Sequence, residues 1–171
     1  MHTRLPLDEA AGPAPVSTGH LPPAERVGAL VAEAYERYRS VDEGKVADYI
    51  PALAKVPRGL FGVCVVGVDG AVHAAGDADH RFSIQKYGRM YFDALQATDV
   101  YTKQCSLDVS ARDLAVMGAT LADGGVNPLT RERVVDAAIC KRVLAVLATA
   151  GLYELSGDYE IGLPGKSGVS G

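Results

Sequence analysis

Basic blocks, long apolar runs and paired cysteines are what this sequence has little of, and each shortage removes a class of function. No cluster of lysine and arginine stands out, and the formal net charge over 171 residues is -4. That balance disfavours nucleic acid or an anionic membrane as an obligatory partner. No apolar run is long enough to span a bilayer, and no charged segment precedes a short apolar one as in a secretory leader. The cytoplasm is the expected compartment. Cys64, Cys105 and Cys140 are the three cysteines. Odd in number and scattered, they suit reduced core thiols better than a disulfide frame or a metal site. Internal repeats and low-complexity blocks are also missing.

What is present describes a soluble globular chain, 48% hydrophobic and 22% charged, with length for one domain. A domain of this size buries roughly 70% of its unfolded surface. Residues 1–22 contain Pro6, Pro13, Pro15 and Pro22 among small residues and lack apolar periodicity, so they are expected to form a mobile arm. Residues 23–171 are expected to form a single domain. Pro23 suits a first helical turn, with Val27, Leu30, Val31, Ala34 and Tyr38 following at helical spacing as far as Arg39-Ser40. The words GKVADYIPALAKV hold a short helix broken at Pro51.

Residues 60–68, LFGVCVVGV, form a compact β-branched run, and Asp69-Gly70 followed by AVHAAG predicts a tight antiparallel hairpin. His73 stands alone in the second strand, with no second ligand at metal spacing. Asp77 and Asp79 read as turn carboxylates. From Phe82 the text is compatible with one helix through Leu95. Ser110 then predicts a helix N-cap, with Asp113 reaching back to the Ser110 amide and Leu114, Met117, Gly118 and Leu121 as the apolar stripe. Asp123-Gly124-Gly125 stops that helix, and Asn127-Pro128 turns the chain. A further helix over 135–150 has Asp136 as cap, Ile139, Val143, Val146 and Leu147 as stripe, and Gly151 as stop. Both helices are expected to cover the hairpin. SGDYEIGLPGKSG reads as turn, short strand and turn.

Four stretches, TKQCS, ARDLAVMGATLADGGVNP, GLYELSG and GLPGKSGVSG, together resemble the glutaminases, serine-dependent amide hydrolases related to the penicillin-recognising enzymes. The resemblance covers Gly44 to Gln85 and Tyr87 to Gly171. It implies an α+β architecture, part of the β-lactamase/transpeptidase-like fold, with a small antiparallel sheet packed by helices and most of the helical subdomain missing. It also implies hydrolysis of L-glutamine to L-glutamate and ammonia through a serine acyl-enzyme, no cofactor, and homo-oligomeric assembly. The family carries FSIQ followed at once by a serine, two residues and a lysine, that serine being the nucleophile. Here Gln85 is followed by Lys86-Tyr87-Gly88-Arg89, words that resemble a much later part of the family. An internal deletion after Gln85 accounts for this. It would remove the nucleophile, its lysine, and the family's substrate-binding asparagines and glutamate. At Gly171 the family is expected to continue into further strands.

Amide hydrolysis by serine needs a nucleophile, a base for its proton and donors for the oxyanion. By resemblance, Tyr153 in GLY matches the tyrosine that shuttles the nucleophile's proton, a role that requires a nearby cation to favour phenolate. Lys166, in a Lys-Ser-Gly word like the Lys-Thr-Gly of penicillin-recognising enzymes, is the retained candidate. Tyr49, Gln85, Tyr101, Tyr153 and Val169, the last through its backbone, match substrate-shell positions. Ser83-Ile84-Gln85-Lys86 also spells S-x-x-K, which on a helix would share a face. Ser83, however, aligns with the serine before the family's glutamine rather than the one after it. Three readings follow: an active glutaminase, a non-catalytic relative or fragment that binds or assembles with complete subunits, and an unrelated serine hydrolase using Ser83 and Lys86.

Overall fold

The computed structural model describes residues 22–49, 51, 53–84, 103, 106–152, 155–156 and 163–168. Nearly all of the expected arm, residues 1–21, lies outside the described residues, as does most of the helix expected after Phe82.

Helix α1 (Ala24–Tyr38) begins one residue after Pro23, which serves as its N-cap. The ring fixes a compatible φ and the Pro23 carbonyl receives the amides of Arg26 and Val27 at 2.9 and 3.2 Å. A short 3-10 turn (Leu53–Lys55) follows Pro51. It is what remains of the short helix expected there, because a proline removes an amide donor from the first turn.

Strands β1 (Gly62–Val66) and β2 (Val72–Gly76) pair antiparallel, with Val63 opposite Ala75 and Val65 opposite His73. The hairpin is therefore as the sequence predicts. Its connection is closed by Gly70 N to Gly67 O at 2.9 Å and by Asp69 Oδ1 accepting the Ala71 amide at 3.0 Å. At the far end Gly76 adopts φ +67, and a Cβ there would stand 2.2 Å from the Tyr35 ring and 2.3 Å from the Phe61 carbonyl. Only glycine fits both that dihedral and that space. Tyr35 stacks on Phe61 at 5.8 Å between centroids, which fastens α1 to the start of the hairpin.

Strands β3 (Phe82–Ser83) and β4 (Asp108–Val109) form a second antiparallel pair, with Phe82 opposite Val109 and Ser83 opposite Asp108. This corrects the expectation of a helix starting at Phe82. Helix α2 (Ala111–Ala122) starts directly after β4 with the expected reciprocal cap: Ser110 Oγ accepts the Asp113 amide at 3.2 Å and Asp113 Oδ2 accepts the Ser110 amide at 2.8 Å. Gly124 and Gly125 end it at φ +60 and +95. Helix α3 (Ala137–Ala150) is capped by Asp136 Oδ1 receiving the Ala138 amide at 2.8 Å.

The alternation along β1 sets the layers. Val63 and Val65 face α1, together with His73 of β2, while Cys64 turns to the side of Arg112 on α2. The hairpin is thus held between α1 and α2, whereas α3 packs on α2. Two expectations need correction here. It is α1, not α3, that covers the second face of the hairpin. The stripe expected on α2 also points mostly outward: Leu114, Met117 and Gly118 are exposed and Leu121 is half-buried, while Ala119 and Thr120 are buried and Ala115 and Val116 half-buried. On α3 the outcome is divided, with Cys140 buried, Val143 and Leu147 half-buried, and Ile139 and Val146 exposed. Among the described residues the fully buried apolar set is small, comprising Val31, Leu53, Ala78, Val109, Ala119 and Cys140. Full burial of a Val or Leu contributes about 1.5–3 kcal/mol, so this nucleus is modest.

Candidate active site

The loop that carries Tyr49 is closed at its base by Arg58 Nη2 donating to the Gly44 carbonyl at 3.1 Å, and it is anchored by Leu53, which is buried. A tight turn, with the Asp48 amide on the Val46 carbonyl at 2.8 Å, then lifts Tyr49 outward, leaving it 68% exposed. Tyr49, Lys45, Asp48, Leu53, Val56 and Gly168 line an open cavity of about 530 Å³. Gly168 closes the Lys166-Ser167-Gly168 word, so two stretches far apart in sequence meet on one concave surface.

The lysine word is held in place by the end of α3. Gly151 caps that helix with its amide on the Leu147 carbonyl at 3.1 Å, and its own carbonyl receives the Ser167 amide at 3.1 Å. A Cβ on Gly151 would lie 1.7 Å from the Gly165 carbonyl, a closeness that only glycine permits. Leu152 packs against Gly165, and the Leu152 amide donates to Ser156 Oγ at 2.9 Å. Lys166 is exposed and its Nζ donates to the Ser167 carbonyl. Of the sequence-predicted site residues, Tyr49 and Lys166 are therefore described; Tyr49 lines the cavity, and Lys166 stands two residues before Gly168 without lining it. Gln85, Tyr101, Tyr153 and Val169 lie outside the described residues, although their neighbours Ile84, Leu152 and Gly168 are placed.

The S-x-x-K reading required a helix at Ser83. Ser83 instead sits in β3 opposite Asp108, and the next amide, of Ile84, donates to the Leu107 carbonyl at 3.0 Å. In a strand, neighbouring side chains alternate between faces and the helical i, i+3 geometry is lost. Lys86 lies outside the described residues. His73 is half-buried beside Gly28 of α1. Among the described residues no group of three His, Cys, Asp or Glu side chains is placed to hold a metal ion, and no helix is long and apolar enough to cross a membrane.

Sequence reasoning missed a polar clamp elsewhere in the fold, at the start of α2. Arg112 meets Asp79 through two parallel bonds, Nε to Oδ1 at 2.7 Å and Nη2 to Oδ2 at 3.1 Å. The Arg112 amide also donates to the Ala78 carbonyl at 3.2 Å. Arg81 donates to the Asp108 carbonyl at 3.0 Å and stands 3.8 Å from Asp113. Together they tie the segment leading into β3 to the start of α2. The hydrogen bond from Arg112 holds the Asp79 carboxyl below its usual range, and burial pushes the Cys64 thiol up against the opposing pull of Arg112. The expectation that Asp79 merely serves a turn is thus too small. The side chain of Asp77 likewise reaches beyond its own turn, accepting the amide of Phe61, 16 residues earlier, at 3.0 Å. Cys64 and Cys140 are free thiols, and Cys105 lies outside the described residues.

A small antiparallel hairpin between helices, with a Lys-Ser-Gly segment fastened to the end of a helix, defines an α+β protein of the β-lactamase-like class. The sequence model of the family described as Glutaminase matches residues 44–91 and 85–171, and the chain belongs to that family. It is similar to "Glutaminase 2" of Yersinia pestis, 37% identical over 269 positions that cover 91% of this chain and 79% of the relative. "Glutaminase 1" of Shigella flexneri is 28% identical, with 86% and 84% covered. Among solved structures, a probable glutaminase ybaS superposes with TM-score 0.78 at 28% identity over 86% of this chain and 84% of its own. The probable glutaminase from Bacillus subtilis complexed with 6-diazo-5-oxo-L-norleucine shares the fold, with TM-score 0.70 at 22% identity over 88% and 80%. The family match comes in two pieces that meet at residues 85–91, and an alignment of 269 positions cannot be filled by 171 residues. Both facts put a gap of roughly a hundred positions opposite the junction after Gln85.

Proposed function

We propose that the cavity beside Tyr49 is one half of a glutamine amidohydrolase site. The family reaction, hydrolysis of L-glutamine to L-glutamate and ammonia through a serine acyl-enzyme, divides its parts between the two sides of the junction. On this reading Tyr153 is the proton relay, Lys166 the cation that favours its phenolate, and Tyr49, Gln85, Tyr101, Tyr153 and the Val169 backbone the substrate shell. The observation that carries the reading is the meeting of Tyr49 and Gly168 on one cavity wall, which brings the first and last matched words to the same place.

The nucleophile is the missing half. The residue after Gln85 is Lys86, whose amine is protonated at neutral pH and would oppose the ammonium of a bound amino acid. Loss of the nucleophile in a serine hydrolase costs about a millionfold in turnover. The chain by itself is therefore read as non-catalytic, a family member that binds glutamine or assembles with complete subunits in the cytoplasm. Ammonia release from L-glutamine, with the Yersinia relative as control, decides the matter. Background release is expected; activity within about tenfold of the control that is abolished by Tyr153→Phe would overturn the reading of the junction.

A further inference from the structure

We infer that Lys45 and Asp48 form a charge clamp for the backbone of a free α-amino acid at the cavity beside Tyr49, Asp48 taking the ammonium and Lys45 the carboxylate. Of the described residues that line this cavity, Lys45 and Asp48 are the two that carry charge, and their signs are opposite. Both are exposed. Among the described residues neither side chain has an ion-pair or hydrogen-bond partner, so the two do not neutralise one another.

The chain fixes the backbone on either side of them. The Gly44 carbonyl, directly before Lys45, accepts from Arg58 Nη2 at 3.1 Å, and the Asp48 amide closes on the Val46 carbonyl at 2.8 Å. Two opposite charges thus stand on one wall, separated by a closed turn. An amino acid at neutral pH carries an ammonium and a carboxylate on the same carbon, and so offers a partner of each sign at once. A singly charged ligand satisfies one side chain and leaves the other. Hydrogen bonds between ionised groups are the stronger kind, although access of water reduces them at an open site. The inference deepens the glutamine reading of this cavity and rests on it: Tyr49 and Gly168 supply the wall, Lys45 and Asp48 the recognition of the part that every α-amino acid shares.

Binding of L-glutamine to the full 171-residue chain is followed by saturation-transfer NMR, beside two analogues that each lack one charge. Glutaramic acid lacks the ammonium; γ-aminobutyramide lacks the carboxylate. Saturable binding of L-glutamine is expected, with each analogue about fivefold or more weaker. Asp48→Asn should weaken L-glutamine about fivefold and leave glutaramic acid unchanged, whereas Lys45→Met should weaken L-glutamine as much and leave γ-aminobutyramide unchanged. Both variants should keep the parent circular dichroism, since both side chains are exposed. Binding that both variants retain in full, or a loss that falls on every ligand alike, would overturn the clamp and leave the cavity reading standing. If the two charge variants lose binding and Tyr49→Ala keeps it, the clamp stands and the shell role of Tyr49 falls. No binding of L-glutamine to the folded parent would overturn both.

Discussion

Replacing Ser110 by alanine removes both reciprocal contacts made by its hydroxyl while leaving the backbone free to stay where it is. The hydroxyl accepts the Asp113 amide at 3.2 Å and donates to Asp113 Oδ2 at 2.8 Å. Ser110 is 5% exposed, so water cannot readily take over the orphaned amide. Cap substitutions of this kind cost about 1 kcal/mol, and the poor access of solvent moves this one toward the upper part of the usual range, about 1.5 kcal/mol. For a domain of this length that corresponds to a fall in Tm of about 5 °C.

The same contacts make a pH test of the argument. The Ser110 amide, and after it the Ser110 hydroxyl, hold the Asp113 carboxyl below its ordinary value of 3.8. A carboxyl with a depressed folded pKa adds stability that is fully present above its unfolded pKa and is lost as pH falls through the folded value. Asp113→Ala should therefore destabilise at pH 6 and progressively less as the pH is lowered below the ordinary value. The size of that pH-dependent part is reduced by solvent screening, since the Asp113 side chain is 48% exposed. Chemical denaturation of Ser110→Ala, Asp113→Ala and the double variant measures the coupling, expected at about 0.5 kcal/mol or more. Strict additivity of the two single costs, or a Ser110→Ala cost independent of whether Asp113 is present, would refute the reciprocal cap.

Three further outcomes follow from other contacts. Gly76→Ala must combine a φ of +67 with a Cβ 2.2 Å from the Tyr35 ring, and should cost about 3 kcal/mol and loosen the stacking of Tyr35 on Phe61, readable by tyrosine fluorescence; a neutral effect would mean that the end of β2 adjusts freely. Arg112→Ala removes the group that opposes the rise of the Cys64 thiol pKa, so alkylation of Cys64 at mildly alkaline pH, followed by mass spectrometry, should slow; faster alkylation would show that uncovering the thiol outweighs the lost charge. With Leu114, Met117, Ile139 and Val146 exposed, the purified chain should take up an apolar dye or self-associate on sizing, and a dye-free monomer with a sharp, high melting transition would contradict the open faces.

What could be read from the sequence and what could not divide along the range of the interactions concerned. The β1–β2 hairpin and the Ser110 and Asp136 caps were legible because their partners lie within a few residues and the chemistry is local. Arg112 and Asp79 are 33 residues apart, and Ser83 pairs with Asp108 across the junction, so neither left a periodic trace. The strand at Phe82 carries no strand signal of its own for that reason: two residues are specified by their partner, not by their own pattern. The site shows the same division. Matched words identified Tyr49 and Lys166, but the contact of Ser167 with Gly151 and the approach of Gly168 to the Tyr49 loop are tertiary and invisible to spacing.

The misread face of α2 follows from a different cause. Leu114, Met117, Gly118 and Leu121 form a genuine helical stripe, yet Ala115, Val116 and Ala119 form another on the opposite side, and periodicity alone cannot rank two stripes. The sheet takes the side with the smaller residues, because close approach of α2 to β1 favours alanine over leucine at the contact. The larger side chains are left outward, with Leu114 at 40% and Met117 at 50% exposure. A stripe of Leu and Met facing water is costly in an isolated domain and ordinary in one that has a second layer. Met117→Glu tests the open face directly: it should leave the hairpin and caps intact by circular dichroism and lower the uptake of an apolar dye, and unchanged dye uptake would show that the exposed stripe is not what the dye finds.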